Sequence, residues 1–239
     1  MNLRAENWRN HLLASLPAED WERWCKYLEH VHLHAGEVVY EIGEKLHYVY
    51  FPTTAIVSLT HLLKEGGSIE VAMIGPEGMS DISIFMGGGV STQRIVVLRP
   101  GDAYRVKVSW ISNELHNAHP LMQHILRFTQ SLITQMAQIG ACNHHHPLAQ
   151  QLSRWLLFYS DRANSNLVTC TQETIANMLG VRRERMAKTA HQLQDMGLIQ
   201  YSRGKIKLLN RTMLEQHTCE CYATVKSVYD RLNPQSRRI

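Results

Sequence analysis

The pattern of apolar and polar positions changes twice along the first half of the 239-residue chain. Residues 3–30 carry apolar side chains at helical spacing, interrupted at Pro17, and predict helices. From about Leu33 to Val108, short segments rich in β-branched and aromatic residues alternate with glycine-containing turns, which is typical of a closed or sandwiched antiparallel β structure. The predicted strands are Val38–Tyr40, Tyr48–Phe51, Ala55–Leu59, Ile69–Ile74, Ile95–Leu98 and Tyr104–Val108.

The segment Thr171–Leu193 predicts two short helices that meet at a tight turn. Thr171 is a suitable N-cap, and Gly180 ends the first helix where a left-handed residue is favoured. Small Ala176 lies four residues before Gly180, with Met186 six residues after it, and this spacing suits the close crossing of a helix-turn-helix. The second helix begins with several arginines, which can enter a DNA major groove. An ordinary helical hairpin that binds protein is the alternative.

A longer helix is predicted before this segment, over about Pro120–Ile139. Its apolar residues recur at steps of three and four and form one stripe, which can pack in a core or form the seam of a dimer. We favour the seam, because two copies of a helix-turn-helix are usually needed to bind a palindromic site. The predicted seam consists of Ile125, Phe128, Leu132 and Met136.

Charge separates the two halves of the chain, although the net charge is only +4. Residues 1–147 contain 11 Lys and Arg against 14 Asp and Glu, a net charge of −3, whereas residues 148–239 contain 14 against 7, a net charge of +7. Counterion release on DNA requires cations concentrated on the binding module. The basic half contains the predicted helix-turn-helix, which favours double-stranded DNA as the partner.

Other features narrow the class of protein. The five cysteines lack a disulfide-framework spacing, and the N-terminus lacks the apolar core of a secretory signal, so we expect a reducing, cytoplasmic location. No apolar run is long enough to predict a membrane span. No P-loop, nucleophile elbow, dinucleotide fingerprint or HExxH motif occurs, so we expect no enzymatic activity.

The order of elements resembles the Crp–Fnr superfamily of bacterial transcription regulators. The resemblance is strongest in the C-terminal half, over residues 148–162 and 167–210, where Gly197-Leu198-Ile199 and Tyr201–Leu208 resemble the β-hairpin wing. It implies an α+β fold, with an antiparallel β-roll of the double-stranded β-helix or jelly-roll type, a long dimerisation helix and a winged helix-turn-helix. The implied domains are a cyclic-nucleotide-binding-like sensor at 1–118, the dimerisation helix and hinge at 119–146, and the DNA-binding domain at 147–239. The implied partners are DNA, a second copy of the chain, a small-molecule effector and, for an activator, RNA polymerase.

Residues that contact DNA in the family have counterparts in this sequence. The positions that contact bases match Arg183, Glu184 and Lys188; arginine pairs with guanine and glutamate accepts from cytosine. Arg182 departs from the family, which often has a small capping residue there, and we expect a different cap. The candidates for phosphate contacts, which position the protein without specifying sequence, are Thr171, Gln172, Arg182, Arg185, Arg203 and Lys205.

The sensor half differs from the cyclic-nucleotide-binding members of the family. Their Gly-Glu pair corresponds here to Ser80 and Asp81, and their phosphate-binding arginine falls near Thr92, with Arg94 slightly out of register. A cyclic phosphate would lose its charge-assisted contact, so we expect no cyclic nucleotide and no other cofactor. A shifted loop that brings Arg94 to the phosphate is the alternative.

Cys142 and His144–His146 form the densest cluster of metal-ligand residue types. Consecutive residues on one element point apart, and this segment falls between the long helix and the basic domain. We therefore predict a hinge and no metal site. Cys219 and Cys221 are too close in sequence for a relaxed disulfide.

Overall fold

The computed structural model describes residues 10–64, 67–114 and 119–233. Its N-terminal part is a two-sheet β structure preceded by two short helices, α1 (His11–Ala14) and α2 (Ala18–Trp24). One sheet has the order β1-β7-β3 and the other has the order β2-β6-β4-β5. The strands are β1 (Glu29–Leu33), β2 (Val38–Tyr40), β3 (Tyr48–Pro52), β4 (Ile56–Leu62), β5 (Ser68–Ile74), β6 (Arg94–Arg99) and β7 (Gly101–Lys107).

All six predicted strands are present, but the N-terminal helical prediction extends too far. Glu29–Leu33 forms β1, which pairs antiparallel with β7 in a register that places Val31 opposite Ala103. The helical prediction for residues 3–30 was therefore wrong at its end, because pairing with β7 decides the conformation of a segment whose local pattern is ambiguous. The first nine residues of the chain lie outside the described residues.

Aromatic residues fill the core of the β structure next to α2. The Trp24 ring meets Phe51 of β3 edge-on at 6.2 Å and Trp110 at 4.9 Å. Trp24, Phe51 and Tyr104 are buried with the inward-facing aliphatic residues of both sheets. Half-buried and buried positions alternate over Tyr48–Phe51 of β3, which matches the pleat of a sheet with one face in the core.

Hydrogen bonds join the start of β7 to the segment that leads into β4. Backbone N–H groups of Thr53, Thr54 and Ala55 all donate to the carbonyl oxygen of Asp102, at 2.9, 3.1 and 3.3 Å. The Thr54 hydroxyl accepts from the Asp102 N–H at 2.8 Å. Gly101 lies directly against this segment: a Cβ at Gly101 would come within 2.7 Å of the Ala55 nitrogen. The contact therefore requires glycine for close backbone approach.

The rest of the chain is mostly helical. Helix α3 (Val108–Glu114) follows the β structure, and α4 (His119–His145) is the long helix that the sequence predicted, extended by six residues at its C-terminal end. No helix in the described ranges is both long enough and apolar enough to cross a membrane. The remaining elements are α5 (Leu148–Ala163), β8 (Leu167–Val168), α6 (Gln172–Met178), α7 (Arg183–Asp195), β9 (Ile199–Ser202), β10 (Lys205–Leu208), α8 (Arg211–His217) and α9 (Glu220–Leu232).

The chain divides into two compact units. The first unit comprises 1–59, 74–132 and 229–239, and the second comprises 60–73 and 133–228. The second unit contains most of the β4–β5 hairpin. Gln135 of α4 donates to the Met73 carbonyl of this hairpin at 3.1 Å and accepts from Arg162 at 2.8 Å. These units do not follow the predicted boundaries at residues 118 and 146; the division into functional domains stays a prediction.

The predicted dimer seam on α4 requires correction. Ile125, Phe128 and Leu132 are buried within the single chain, and Phe128 packs directly on Gly78, where a Cβ would lie 2.1 Å from the ring. Met136 is half-buried. Ile125, Phe128 and Leu132 cannot also form the face that meets a second chain in this conformation. The apolar period of α4 is as predicted, but the apolar stripe packs in the core of the single chain.

A second stripe of α4 is exposed. Its positions follow steps of three and four, and its apolar members Leu126 and Ile133 are 58% and 53% exposed. Ala137 and Gly140 continue the stripe with small side chains, and both are exposed. This spacing is that of a two-helix seam, and small residues allow helices to approach closely. The exposed stripe comprises Gln123, Leu126, Gln130, Ile133, Ala137, Gly140 and His144.

We expect Gly101→Ala to destabilise the β structure, because the added methyl group would contact backbone atoms that cannot move aside. Overpacking of this kind costs about 1–3 kcal/mol. Gly89→Ala is the matched control, because a Cβ there meets nothing within 4 Å. Urea denaturation of both variants measures the difference. Equal midpoints would contradict the steric role of Gly101.

Candidate nucleic-acid interface

Helix α6 begins and ends at the residues that the sequence predicted. Thr171 adopts extended backbone angles and its hydroxyl accepts from the Thr174 N–H at 3.0 Å, which satisfies one free donor of the first turn. Gly180 has a φ of +64°, the left-handed conformation that glycine tolerates. The prediction of a capped helix followed by a tight turn is confirmed.

Helices α6 and α7 pack through small and flexible apolar residues. Ile175, Ala176 and Met178 of α6 are buried, as are Met186, Ala190 and Leu193 of α7. Thr189 is also buried on α7, and its hydroxyl donates to the Arg185 carbonyl at 2.9 Å. The buried face of α7 leaves its opposite face in solvent.

The exposed face of α7 carries its charged residues. Arg182 is the N-cap and makes no side-chain capping hydrogen bond, which agrees with the expected departure from a small capping residue. Arg183 and Glu184 form no ion pair with any described residue. The exposed charged residues at the start of the helix are Arg182, Arg183, Glu184, Arg185 and Lys188.

A three-stranded sheet of order β8-β10-β9 follows the helix-turn-helix. Strands β9 and β10 pair antiparallel with Lys205 opposite Ser202, and Gly204 in their turn has a φ of +71°. Gln194 at the end of α7 accepts from the Tyr201 N–H at 2.9 Å, which ties the hairpin to the helix. Ile206 and Leu208 are buried, so the hairpin exposes Arg203, Lys205 and Lys207.

The C-terminal helices dock on α5 through a polar network that sequence reasoning missed. The Arg211 guanidinium contacts Asp161 of α5, donates to the Tyr222 hydroxyl at 2.8 Å and pairs with Glu215 at 2.9 Å. The Tyr222 hydroxyl donates to the second Asp161 oxygen at 2.9 Å. Burial, reinforced by the Asp161 charge, raises the pKa of Tyr222, so this donor stays protonated. The sequence around Arg211 does not predict this ion pair, because its partner Asp161 lies 50 residues earlier in the chain.

The predicted effector residues are engaged in the first unit in different ways. The Ser80 hydroxyl accepts from the Tyr50 N–H at 3.1 Å. The Asp81 carboxylate accepts from the Ser83 N–H at 2.8 Å and from the Ser91 hydroxyl at 2.9 Å. Thr92 is exposed. Arg94 on β6 pairs with Glu41 at 3.0 Å, so the guanidinium proposed for a shifted phosphate contact already has a carboxylate partner.

The structure brings Cys142 and His146 together with two residues that the sequence prediction did not connect to them. These are Cys219 and Cys221, at the start of α9. The neighbouring His144 and His145 are exposed, and their rings meet each other edge-on at 4.6 Å. The spacing of four between Cys142 and His146 was the signal that could have been used, because it places both on one helix face.

The C-terminal geometry agrees with a known family of DNA-binding domains. Residues 150–217 match the family model of the Crp-like helix-turn-helix domain. We refer to the matched residues 150–217 as the Crp-like domain. Its match begins on α5 and ends at the last residue of α8. No curated protein sequence matches the chain.

Solved structures show the same fold over most of the chain around this Crp-like domain. FixK2 from Bradyrhizobium japonicum is 17% identical with a TM-score of 0.69, covering 80% of this chain and 98% of that one. The c-di-GMP-responsive global regulator CLP of Xanthomonas campestris is 12% identical, with a TM-score of 0.68 and coverages of 81% and 100%. A CRP-family transcriptional regulator from Thermus thermophilus is 20% identical, with a TM-score of 0.63 and coverages of 78% and 95%. The predicted α+β fold is confirmed.

Thr171→Ala should destabilise the Crp-like domain by about 1 kcal/mol, because the first turn of α6 loses its side-chain acceptor. Thr171→Ser retains the hydroxyl and should restore most of the stability. Thermal denaturation in the absence of DNA checks both variants, so that any phosphate contact made by Thr171 does not contribute. A Thr171→Ala variant as stable as the parent would contradict the capping role.

Proposed function

We propose that the protein is a Crp–Fnr-type transcription regulator that binds a palindromic operator as a homodimer. The observation that carries the proposal is the charged surface over the first two turns of α7. Four basic residues and one glutamate are exposed there on a Crp-like helix-turn-helix domain, and the helix has no side-chain cap. Free N–H groups and guanidiniums at a helix start are suited to a phosphate backbone and to base edges in a major groove.

Arg183, Glu184 and Lys188 are proposed to contact bases. All three are exposed within the first six residues of α7, and Glu184 and Lys188 lie four positions apart on the face away from the buried Met186 and Ala190. Arginine can donate two hydrogen bonds to guanine O6 and N7, and glutamate can accept from cytosine N4. Because Arg183 and Glu184 have no ion-pair partner among the described residues, binding DNA requires no existing pair to break.

Phosphate contacts are proposed for residues around this base-contacting set. Thr171 and Gln172 begin α6, Arg182 and Arg185 flank the base-contacting pair, and Arg203 and Lys205 lie in the hairpin. All except Gln172, which is half-buried, are exposed. Such contacts fix orientation and supply most of the salt dependence of binding.

The dimer is proposed to form through the exposed stripe of α4 and not through the stripe buried in the core. A two-fold pair would place two α7 helices about one turn of DNA apart, roughly 34 Å between half-site centres. Leu126 and Ile133 provide apolar contact, while Ala137 and Gly140 allow close approach.

We also propose that a small-molecule effector binds the β structure. If the regulator activates transcription, RNA polymerase is a further partner. Cyclic nucleotide is not favoured, because Arg94 pairs with Glu41 and the Asp81 carboxylate is occupied by Ser83 and Ser91. An anionic phosphate beside Asp81 would also meet a like charge. Calorimetric titration with cyclic AMP and cyclic GMP tests this point, and tight binding of either would contradict it.

Selection of bound duplexes followed by fluorescence anisotropy tests the DNA proposal. The full chain should select a palindrome and lose affinity steeply as salt rises. Arg183→Ala should reduce discrimination at one base position of each half-site by about 1–3 kcal/mol. Lys205→Ala should weaken all duplexes alike and lower the salt slope by about 1 per half-site.

Lys26→Ala is the control for charge, since Lys26 is an exposed lysine on the N-terminal side of the β structure. It should leave affinity and sequence preference unchanged. Selection that returns no common sequence, or an Arg183→Ala variant with undiminished preference, would contradict base contact by α7.

Ile133→Glu should convert the dimer to a monomer, because it places two carboxylates in one apolar seam. Loss of the dimer should also weaken binding to the operator. Sedimentation velocity measures the mass. Leu63→Glu is the control: Leu63 is a comparably exposed apolar residue, 58% exposed, on the β4–β5 hairpin. A wild-type monomer, or a dimer unaffected by Ile133→Glu, would contradict the assignment of the seam.

A further inference from the structure

Four side chains of metal-ligand type converge on one point in the second unit. Cys142 lies near the end of α4, and His146 follows one turn later, with its N–H bonded to the Cys142 carbonyl at 3.0 Å. Cys219 and Cys221 approach from the start of α9. All three cysteines are buried and form a cluster with one another.

The distances within this cluster match a tetrahedral metal site. The sulfurs of Cys142 and Cys219 are 3.5 Å apart, and the Cys221 sulfur is 3.5 Å from Nδ1 of His146. All four candidate ligand atoms lie within 4.8 Å of one another. A zinc ion with bonds of about 2.3 Å to sulfur and about 2.0 Å to nitrogen holds its ligand atoms about 3.4–3.8 Å apart. The cluster therefore needs little rearrangement to surround one ion.

Other uses of three thiols fit this geometry less well. A disulfide needs its sulfurs about 2.05 Å apart, and joining Cys142 to Cys219 would leave Cys221 and His146 without a role. An iron–sulfur cluster distributes its protein ligands over two or more irons, and ligand atoms bound to different irons are farther apart than those around a single ion. Three thiolates and one imidazole around one centre form the Cys3His set of closed structural zinc sites.

The surroundings of the cluster orient its members. Nε2 of His146, the nitrogen that faces away from Cys221, lies 3.4 Å from the Glu220 carboxylate. Gln138 donates from Nε2 to the Cys221 sulfur at 3.2 Å. A carboxylate on the far side of a ligating histidine, and an N–H donor on a ligating sulfur, are recurrent features around protein metal ions.

A buried arginine supplies an independent electrostatic argument. Arg154 of α5 is 2% exposed; its Nη2 donates to the Asn143 side chain at 3.3 Å, next to Cys142 in the chain. Its Nε and Nη1 have no hydrogen-bond partner among the described residues. A buried, incompletely paired guanidinium destabilises the folded state unless an anion compensates its charge. Three thiolates with one divalent cation carry a net charge of −1, which is such an anion.

We propose that Cys142, His146, Cys219 and Cys221 bind one structural Zn²⁺ ion. Binding releases three thiol protons to solvent, and His146 contributes a neutral imidazole through Nδ1. The ligands lie just before residue 150 and just after residue 217, so they flank the Crp-like domain on both sides. The ion would fasten the segment that leaves the domain to the helix that enters it, and would fix α8 and α9 against α5.

Metal analysis of the full-length protein tests the proposal. The chain, reduced, stripped with chelator and reloaded with Zn²⁺ alone, should retain about one zinc per chain after desalting. Cys142→Ser and Cys221→Ser should each lose that zinc. Cys170→Ser and His145→Ala are the controls. Cys170 is a buried thiol outside the cluster, whose pKa burial raises to about 12, and His145 is exposed one residue before His146.

Loading the stripped wild-type protein with Co²⁺ provides a test that needs no variant to fold. Tetrahedral cobalt with thiolate ligands should give intense visible absorption and sulfur-to-metal charge transfer, which one added equivalent of Zn²⁺ abolishes. Thermal denaturation of the zinc-loaded and stripped forms should show a higher midpoint with zinc.

Three results would overturn the proposal. They are a wild-type chain that retains no zinc, equal retention in the cluster variants and the wild type, and a Cys142–Cys219 disulfide in protein purified without chelator or reductant. None of these measurements involves DNA, so the zinc proposal can fail while the DNA-binding proposal stands.

Discussion

The basic half of the molecule depends on the burial of helix α5. Ten consecutive residues, Gln151–Ser160, are buried, so every face of the helix is covered for nearly three turns. Burial on this scale requires neighbours on all sides: α7, β8 and α8 each pack against it. Polar groups on α5 must then find partners inside the protein. Gln151 donates to the His146 carbonyl at 2.7 Å, and Ser153 to the Ala149 carbonyl at 2.8 Å.

This central helix explains which surfaces are left for function. Helix α7 packs on the core through Met186, Ala190 and Leu193, and its arginines are exposed to solvent. The C-terminal helices dock through Asp161 and Arg211 because an apolar contact alone would not fix their orientation. Arg154, carried into the interior by the same helix, places a positive charge beside the cysteine cluster. The proposed DNA-binding surface and the proposed zinc site therefore depend on one element.

The β structure shows how far local pattern specifies fold. All six predicted strands formed, because alternation and β-branched content are local properties that a pleated, half-buried sheet preserves. The order β2-β6-β4-β5 was not available from the sequence, nor was the conversion of Glu29–Leu33 to a strand by β7. The steric role of Gly101 is likewise non-local, since the atoms it approaches belong to Thr54 and Ala55. The α4 stripe had a clear period, but period alone does not say which neighbour covers it.

The sequence by itself determined the helix-turn-helix, its cap at Thr171, its turn at Gly180 and the arginines of α7. Each depends on residues fewer than ten positions apart, where spacing fixes geometry. Only the tertiary structure decided that Ile125 and Phe128 belong to the core while Leu126 and Ile133 face solvent. Only it placed Cys142 and His146 beside Cys219 and Cys221, from which they are separated by the entire Crp-like domain. Ligands brought together by packing across more than 70 residues leave no periodic signal, because their proximity is a property of the fold and not of the local chain.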